Sequence, residues 1–85
     1  MDSKATAFAE EAIGAVGRLD VALARTSVAQ AFEVDQDIGP LADAVYLACA
    51  EIEEENIVST ATWNTLADAV DSAELLSVVE ATRTH

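Results

Sequence analysis

The chain of 85 residues has 16 acidic and four basic side chains, which give it a formal net charge of −12. Proteins bind nucleic acids and anionic membranes through Lys and Arg, so this charge argues against direct binding to either. Its length is that of one domain, 1–85, and its 18 alanines leave a thin core that a homodimer would reinforce. A basic protein is the complementary partner; the alternative is that the acids only keep an alanine-rich surface in solution.

The first helix is predicted to begin at Asp2 or Ser3, either of which is a favourable N-cap, and to run to Arg25. Apolar residues recur along this segment at the spacing of one helix face. These residues are Phe8, Ala12, Val16, Leu19 and Leu23. We expect this face to pack into the core, with Phe8 largely buried.

A second, shorter helix is predicted over 28–35. Past residue 26 the apolar stripe of the first helix loses phase, so the chain has to turn there. Ser27, followed three residues later by Gln30, has the form of a capping box, which marks a helix start. The residues from Asp35 to Gly39 are then expected to form a loop.

The central helix is predicted to begin with Pro40 at its first position and to stop at Asn56. Its apolar stripe is the clearest in the chain and predicts a core-facing side. The stripe consists of Leu41, Val45, Ala48 and Ile52. Cys49 lies at the edge of this stripe, so we expect its small side chain to be buried in the core. Because it is the only cysteine, it cannot form an intramolecular disulfide.

Two further helices complete the predicted fold. Ser59 or Thr60 is expected to cap the fourth helix, whose core-facing residues are Trp63, Leu66, Ala67 and Val70. Asp71 with Glu74 forms another capping box, which predicts a last helix over 72–82. No segment shows the apolar–polar alternation of a strand. The sequence therefore predicts an all-α, compact bundle of four to five helices with no sheet, in which Trp63 is largely buried.

The side chains available for catalysis are few, so we expect no enzyme. The only histidine is the terminal residue His85, and Cys49 has no neighbouring base to activate it. Asp35 and Asp37 begin like a calcium-binding loop, but the fifth, sixth and twelfth positions of that loop depart from the pattern. We expect neither a metal nor a cofactor. The chain begins without a signal-like segment and has no run of about 18 apolar residues, which predicts a cytoplasmic protein.

One family resemblance rests on the run IGPLADAVYLACAEIEEE, followed by TLADAVDSAE. These segments resemble the second and fourth helices of acyl carrier proteins, which are acidic helical bundles. In that family a serine at the start of the second helix carries the phosphopantetheine arm, and Pro40 stands at the matching position. Asp71 and Ser72 form the family's dipeptide, but Ala73 follows where leucine is expected. The resemblance thus implies an acyl-carrier-like bundle that lacks the prosthetic-group serine.

The densest charge lies at the C-terminal end of the central helix, where carboxylates oppose the partial negative charge of the unpaired carbonyls. No Lys or Arg lies between Arg25 and Arg83, so Arg18 or Arg25 of the first helix are the cations that can reach this end. An apolar leucine interrupts the charged face of the same helix. The candidate partner-binding residues are Asp43, Tyr46, Leu47, Glu51, Glu53, Glu54 and Glu55.

Two hypotheses of function follow. The first is a non-catalytic interaction protein, of the inhibitor, antitoxin, immunity or phage host-modulator kind, that presents the acidic face to a basic surface of a partner protein. The second is a homo-oligomeric structural or adaptor protein, whose apolar contact surface includes Tyr46 and Leu47. Salt distinguishes them, because it weakens charge-steered binding and leaves apolar self-association intact.

Overall fold

The computed structural model describes residues 3–84 as five α-helices and one turn of 3-10 helix. The elements are α1 (Ser3–Gly17), α2 (Val21–Val34), the 3-10 turn (Gln36–Ile38), α3 (Gly39–Glu55), α4 (Thr60–Ala69) and α5 (Ala73–Arg83). No strand occurs in this range, so the predicted all-α fold is confirmed. Asp2, a predicted cap, and the terminal histidine lie outside the described residues.

The predicted first helix is wrong beyond Gly17, where α1 ends. Leu19 adopts a left-handed backbone conformation, with φ of 61°, and the two hydrogen bonds of a Schellman motif close over it. The Leu19 N–H donates to the Val16 carbonyl at 3.1 Å, and the Asp20 N–H donates to the Ala15 carbonyl at 2.9 Å. The chain therefore turns eight residues earlier than the sequence predicted.

Asp20 and not Ser27 caps the second helix. The Asp20 carboxylate accepts the Leu23 N–H at 3.1 Å, which satisfies one of the donors that every helix start leaves unpaired. Ser27 instead lies inside α2, which is continuous from Val21 to Val34, and its side chain is 1% exposed. Its hydroxyl oxygen has no hydrogen-bond partner among the described residues. The predicted turn at Ser27 is wrong.

The central helix, α3, is confirmed to within one residue at each end. Pro40 lies in its first turn, where its missing N–H would have had no partner within the helix. Asn56 ends α3 in the left-handed conformation, with φ of 59°, and its N–H donates to the Ile52 carbonyl at 2.8 Å. The segment before α3, predicted as a loop, contains the 3-10 turn, at whose start the Asp35 carboxylate accepts the Asp37 N–H at 3.0 Å.

The caps of the last two helices are serines. The hydroxyl of Ser59 accepts the Thr62 N–H at 3.3 Å at the start of α4, as predicted. For α5 the predicted cap is wrong by one position, because the hydroxyl of Ser72, and not the carboxylate of Asp71, accepts the Leu75 N–H at 3.2 Å. A serine hydroxyl and an aspartate carboxylate are nearly equivalent as caps, so neighbouring residues of these types are hard to separate by sequence.

One hydrophobic core joins the five helices. Helix α1 packs against α2 and α5, while α3 packs against α2 and α4. The largest fully buried side chains are Ile13, Leu41, Leu66, Leu75, Val16, Val28, Val45, Val79 and Cys49. Cys49 is buried as predicted, but Phe8 and Trp63 are only partly buried at the edge of the core. None of the helices within 3–84 is both long and apolar enough to cross a membrane.

Candidate protein-binding face of helix α3

The solvent side of α3 carries five of the seven candidate residues on one face. Tyr46 and Leu47 are 43% and 53% exposed, and Asp43, Glu53 and Glu54 are also exposed. At about 100° per residue, these five side chains project within about 120° of one another. The face therefore combines an aromatic ring, a leucine and carboxylates. We call these five residues the α3 face.

Glu53, at one edge of the α3 face, pairs with Arg25 of α2. The Arg25 guanidinium donates to the Glu53 carboxylate at 2.6 Å, and both side chains are about half exposed. A pair in this setting contributes about 0–1 kcal/mol to stability. Arg25 is thus the cation that reaches the acidic cluster, although it lies on the second helix. Arg18 lies beside Gly14 instead, where its guanidinium would be 3.3 Å from an added Cβ.

Glu51 lies apart from the α3 face, at the junction of α3 and α4. Its carboxylate accepts the backbone N–H of Ser59 at 2.7 Å. This bond is the main cause that lowers the pKa of Glu51, and hydrogen bonds from the side chains of Ser59 and Thr62 act in the same direction. Hydrogen bonding to the charged form favours ionisation. Glu51 therefore ties the end of α3 to the cap of α4.

Replacing Glu51 by Gln is expected to destabilise the fold at pH 7 and to have a smaller effect at about pH 3. Because the folded-state pKa is lowered, the stabilisation is present above the unfolded-state pKa of about 4.3 and is lost as the pH falls through the folded value. Gln keeps an oxygen that can accept the Ser59 N–H, so the variant removes the charge alone. Urea-unfolding midpoints of both proteins at the two pH values measure the effect. A midpoint difference that is as large at pH 3 as at pH 7 would contradict this role.

Glu55 projects from the opposite side of α3 to Tyr46, about 180° away, and is exposed. Neither Glu54 nor Glu55 makes a side-chain hydrogen bond or ion pair with the described residues, and the last turn of α3 contains no basic residue. These carboxylates are therefore repelled by the negative end of the helix dipole, and no nearby cation offsets the repulsion. Each carboxylate destabilises the helix by about 0.3–1 kcal/mol. Glu55→Gln is accordingly a control for Glu51→Gln that should raise stability at pH 7.

A groove between α2 and α3 borders the α3 face, with a volume of about 530 Å³. It is lined by Ala29, Phe32, Glu33, Gly39, Ala42, Asp43 and Tyr46. Sequence reasoning missed the contribution of α2, although the predicted helix over 28–35 already contained Ala29, Phe32 and Glu33, because the sequence does not show which face of that helix lies beside α3. In the continuous α2, Ala29, Phe32 and Glu33 have the i, i+3, i+4 spacing of one face. That spacing is the signal that could have identified them.

Two other titratable groups are perturbed. Burial raises the pKa of Glu10, and a hydrogen bond and charge repulsion from the Glu74 carboxylate act in the same direction. Burial also raises the pKa of the Cys49 thiol, which the charge of Arg25 lowers in part. A buried thiol with a raised pKa is a weak nucleophile. Across 3–84, no group of three or more His, Cys, Asp or Glu side chains is arranged to hold a metal ion.

The chain was compared with protein-family models, with curated proteins and with solved structures, and none of them matches. The interpretation of the α3 face and of the groove therefore rests on their own geometry and charge.

Proposed function

We propose that this chain is a non-catalytic protein-interaction module, of the inhibitor, antitoxin, immunity or phage host-modulator kind. It binds a basic surface of a partner protein through the α3 face together with Glu55 at the end of the same helix. The observation that carries the proposal is the uncompensated acidity at the end of α3. Carboxylates are unfavourable at a helix C-terminus, where Lys or Arg would stabilise the helix. A cationic partner would relieve this repulsion on binding.

The apolar members of the α3 face supply the other part of such an interface. Aromatic side chains are enriched at the centres of protein interfaces, whereas charged rims mainly steer and accelerate association. Tyr46 and Leu47 are exposed between Asp43 and Glu54. A partner with apolar residues inside a basic rim would match this arrangement.

Removing charge from the end of α3 is expected to weaken partner binding while stabilising the fold. The double variant Glu54→Gln/Glu55→Gln is suited to this test, because it leaves the Arg25–Glu53 pair intact. Stability should rise by about 0.3–1 kcal/mol for each carboxylate removed. The measurements are thermal unfolding, and titration against a purified basic protein first retained from a lysate at low salt.

A matched control removes two charges elsewhere. Glu11 on α1 and Asp71 before α5 are both exposed, so Glu11→Gln/Asp71→Asn changes the net charge equally. If both double variants lose affinity equally, net charge alone governs binding. Full affinity in the Glu54→Gln/Glu55→Gln protein would remove the end of α3 from the interface.

The exposed Tyr46 and Leu47 also favour a second candidate, a homo-oligomeric structural or adaptor protein that buries this apolar pair between copies. A net charge of −12 on each copy opposes self-association at low salt. Sedimentation should then show a dimer that strengthens as salt is added, whereas binding to a basic partner should weaken. The acyl-carrier-like alternative has less support, because Pro40 in the first turn of α3 offers no hydroxyl for a prosthetic group.

A further inference from the structure

The groove between α2 and α3 is lined by two aromatic rings, two alanines, one glycine and two carboxylates. A Cβ placed on Gly39 would lie 3.7 Å from Cε1 of Phe32, so the Phe32 ring lies against the first turn of α3. Tyr46 lies two turns further along α3, about 10 Å away at 1.5 Å per residue. Asp43 stands between them, and Glu33 lines the side formed by α2.

No Lys or Arg of the described residues lines this groove. Arg25 is paired with Glu53, and Arg83 pairs with Glu80 and donates to the side-chain oxygen of Asn64 at 3.0 Å. Neither of these cations compensates the two carboxylates of the groove. Glu33 and Asp43 are exposed, so they are free to contact a cation supplied by another molecule.

We infer that the groove binds an arginine side chain of the basic partner, an inference that rests on the proposed function. Aromatic rings attract cations through their faces, and carboxylates bind guanidinium through paired hydrogen bonds. The hydrocarbon part of the arginine lies over Ala29 and Ala42, and its guanidinium contacts Tyr46 and the Asp43 carboxylate. A second copy of this chain is a poor occupant, since each copy carries a net charge of −12.

Arginine suits the groove better than lysine does. Its guanidinium is planar, stacks on aromatic rings and is less strongly hydrated than an ammonium group, so it enters a half-apolar groove at lower cost. The groove volume of about 530 Å³ lies within the range of roughly 300–1,000 Å³ that is usual for small-molecule pockets. Because Phe32, Asp43 and Tyr46 of the lining are exposed, a side chain carried on a partner helix can reach the groove.

Amide NMR titration with three matched peptides tests the inference. The probe is a short helical peptide with two arginines one turn apart; in the other two peptides both arginines are replaced by lysine or by citrulline, the uncharged analogue of arginine. At low salt the arginine peptide is expected to shift amides of 29–33 and 39–46. Its affinity should exceed that of the citrulline peptide about tenfold, equivalent to about 1.4 kcal/mol, and that of the lysine peptide about threefold.

Variants of the groove locate the binding. Asp43→Asn and Tyr46→Leu are each expected to lower the affinity for the arginine peptide by threefold to tenfold, since each removes one partner of the guanidinium. Asp71→Asn, at an exposed residue before α5 and away from the groove, should leave this affinity within about twofold. Both groove residues are exposed, so the fold should tolerate these changes, and unchanged amide shifts away from the groove verify this.

Equal affinities for the arginine and citrulline peptides would overturn the inference, as would full affinity in both groove variants. Shifts confined to Glu54, Glu55 and their neighbours would remove the groove as the binding site while supporting the proposed acidic interface. If neither cationic peptide shifts any amide, and Glu54→Gln/Glu55→Gln also leaves partner binding unchanged, the inference and the proposed function both fail.

Discussion

Replacing Leu66 by Ala is expected to lower the free energy of unfolding by about 2–5 kcal/mol. Leu66 is fully buried and is the largest side chain of α4 with no exposure. Helix α4 has only 10 residues, and short helices depend on tertiary packing for their stability. Since domains of this kind are stable by roughly 5–15 kcal/mol, the loss is a large fraction of the total.

Urea unfolding followed by circular dichroism measures this loss, and Leu76→Ala is the matched control. Leu76 lies on α5 and is 41% exposed, so its truncation should change stability by less than about 1 kcal/mol. If Leu66→Ala unfolds at the same urea concentration as the parent, α4 is not packed on the core as described. A variant that is unfolded without urea agrees with the expected loss.

Replacing Ser27 by Ala is expected to raise the free energy of unfolding by about 1–2 kcal/mol. The Ser27 hydroxyl is buried without a hydrogen-bond partner among the described residues, and such a group costs about 1–3 kcal/mol. Alanine also has a higher helix propensity than serine, by up to about 0.7 kcal/mol. The sequence predicted the opposite sign: if Ser27 were a helix cap, its replacement by Ala would destabilise the fold.

Two other serines serve as comparisons for Ser27→Ala. Ser77 is exposed on α5, so Ser77→Ala should change stability by a few tenths of a kcal/mol. Ser72 caps α5, so Ser72→Ala should destabilise by about 0.5–2 kcal/mol. Thermal or urea unfolding of the three variants gives three different outcomes. A destabilised Ser27→Ala protein would mean that its hydroxyl does find a partner.

The boundary between α1 and α2 shows why local patterns misled the sequence analysis. Ser27 and Gln30 have the spacing of a capping box, and Leu19 has no sequence feature that favours a left-handed turn, which usually needs glycine. The local sequence therefore favoured a helix boundary at Ser27 and gave no sign of the one at Leu19. The burial of Ser27 and Ala24 against the rest of the core requires α2 to be continuous there.

The half-burial of Phe8 and Trp63 has a related cause. Both residues lie on apolar stripes, so each was expected in the core, but alanines occupy nine of the 20 buried apolar positions within 3–84. Six residues of α1 are buried, and four of them are alanines. Helices with alanine at their contacts approach closely and leave little room for large rings. The rings therefore pack against the edge of the core.

The sequence by itself determined the all-α fold, the bounds of α3, the burial of Cys49 and the acidity of the surface, because helical periodicity, a proline at a helix start and net charge are local or additive properties. Only the tertiary structure decided where α2 begins, which carboxylate pairs with Arg25 and which is held by Ser59. The groove lined by Phe32, Glu33, Asp43 and Tyr46 also exists only in the tertiary structure. Those features depend on which faces of α2 and α3 meet, and that choice is made by packing of the whole core.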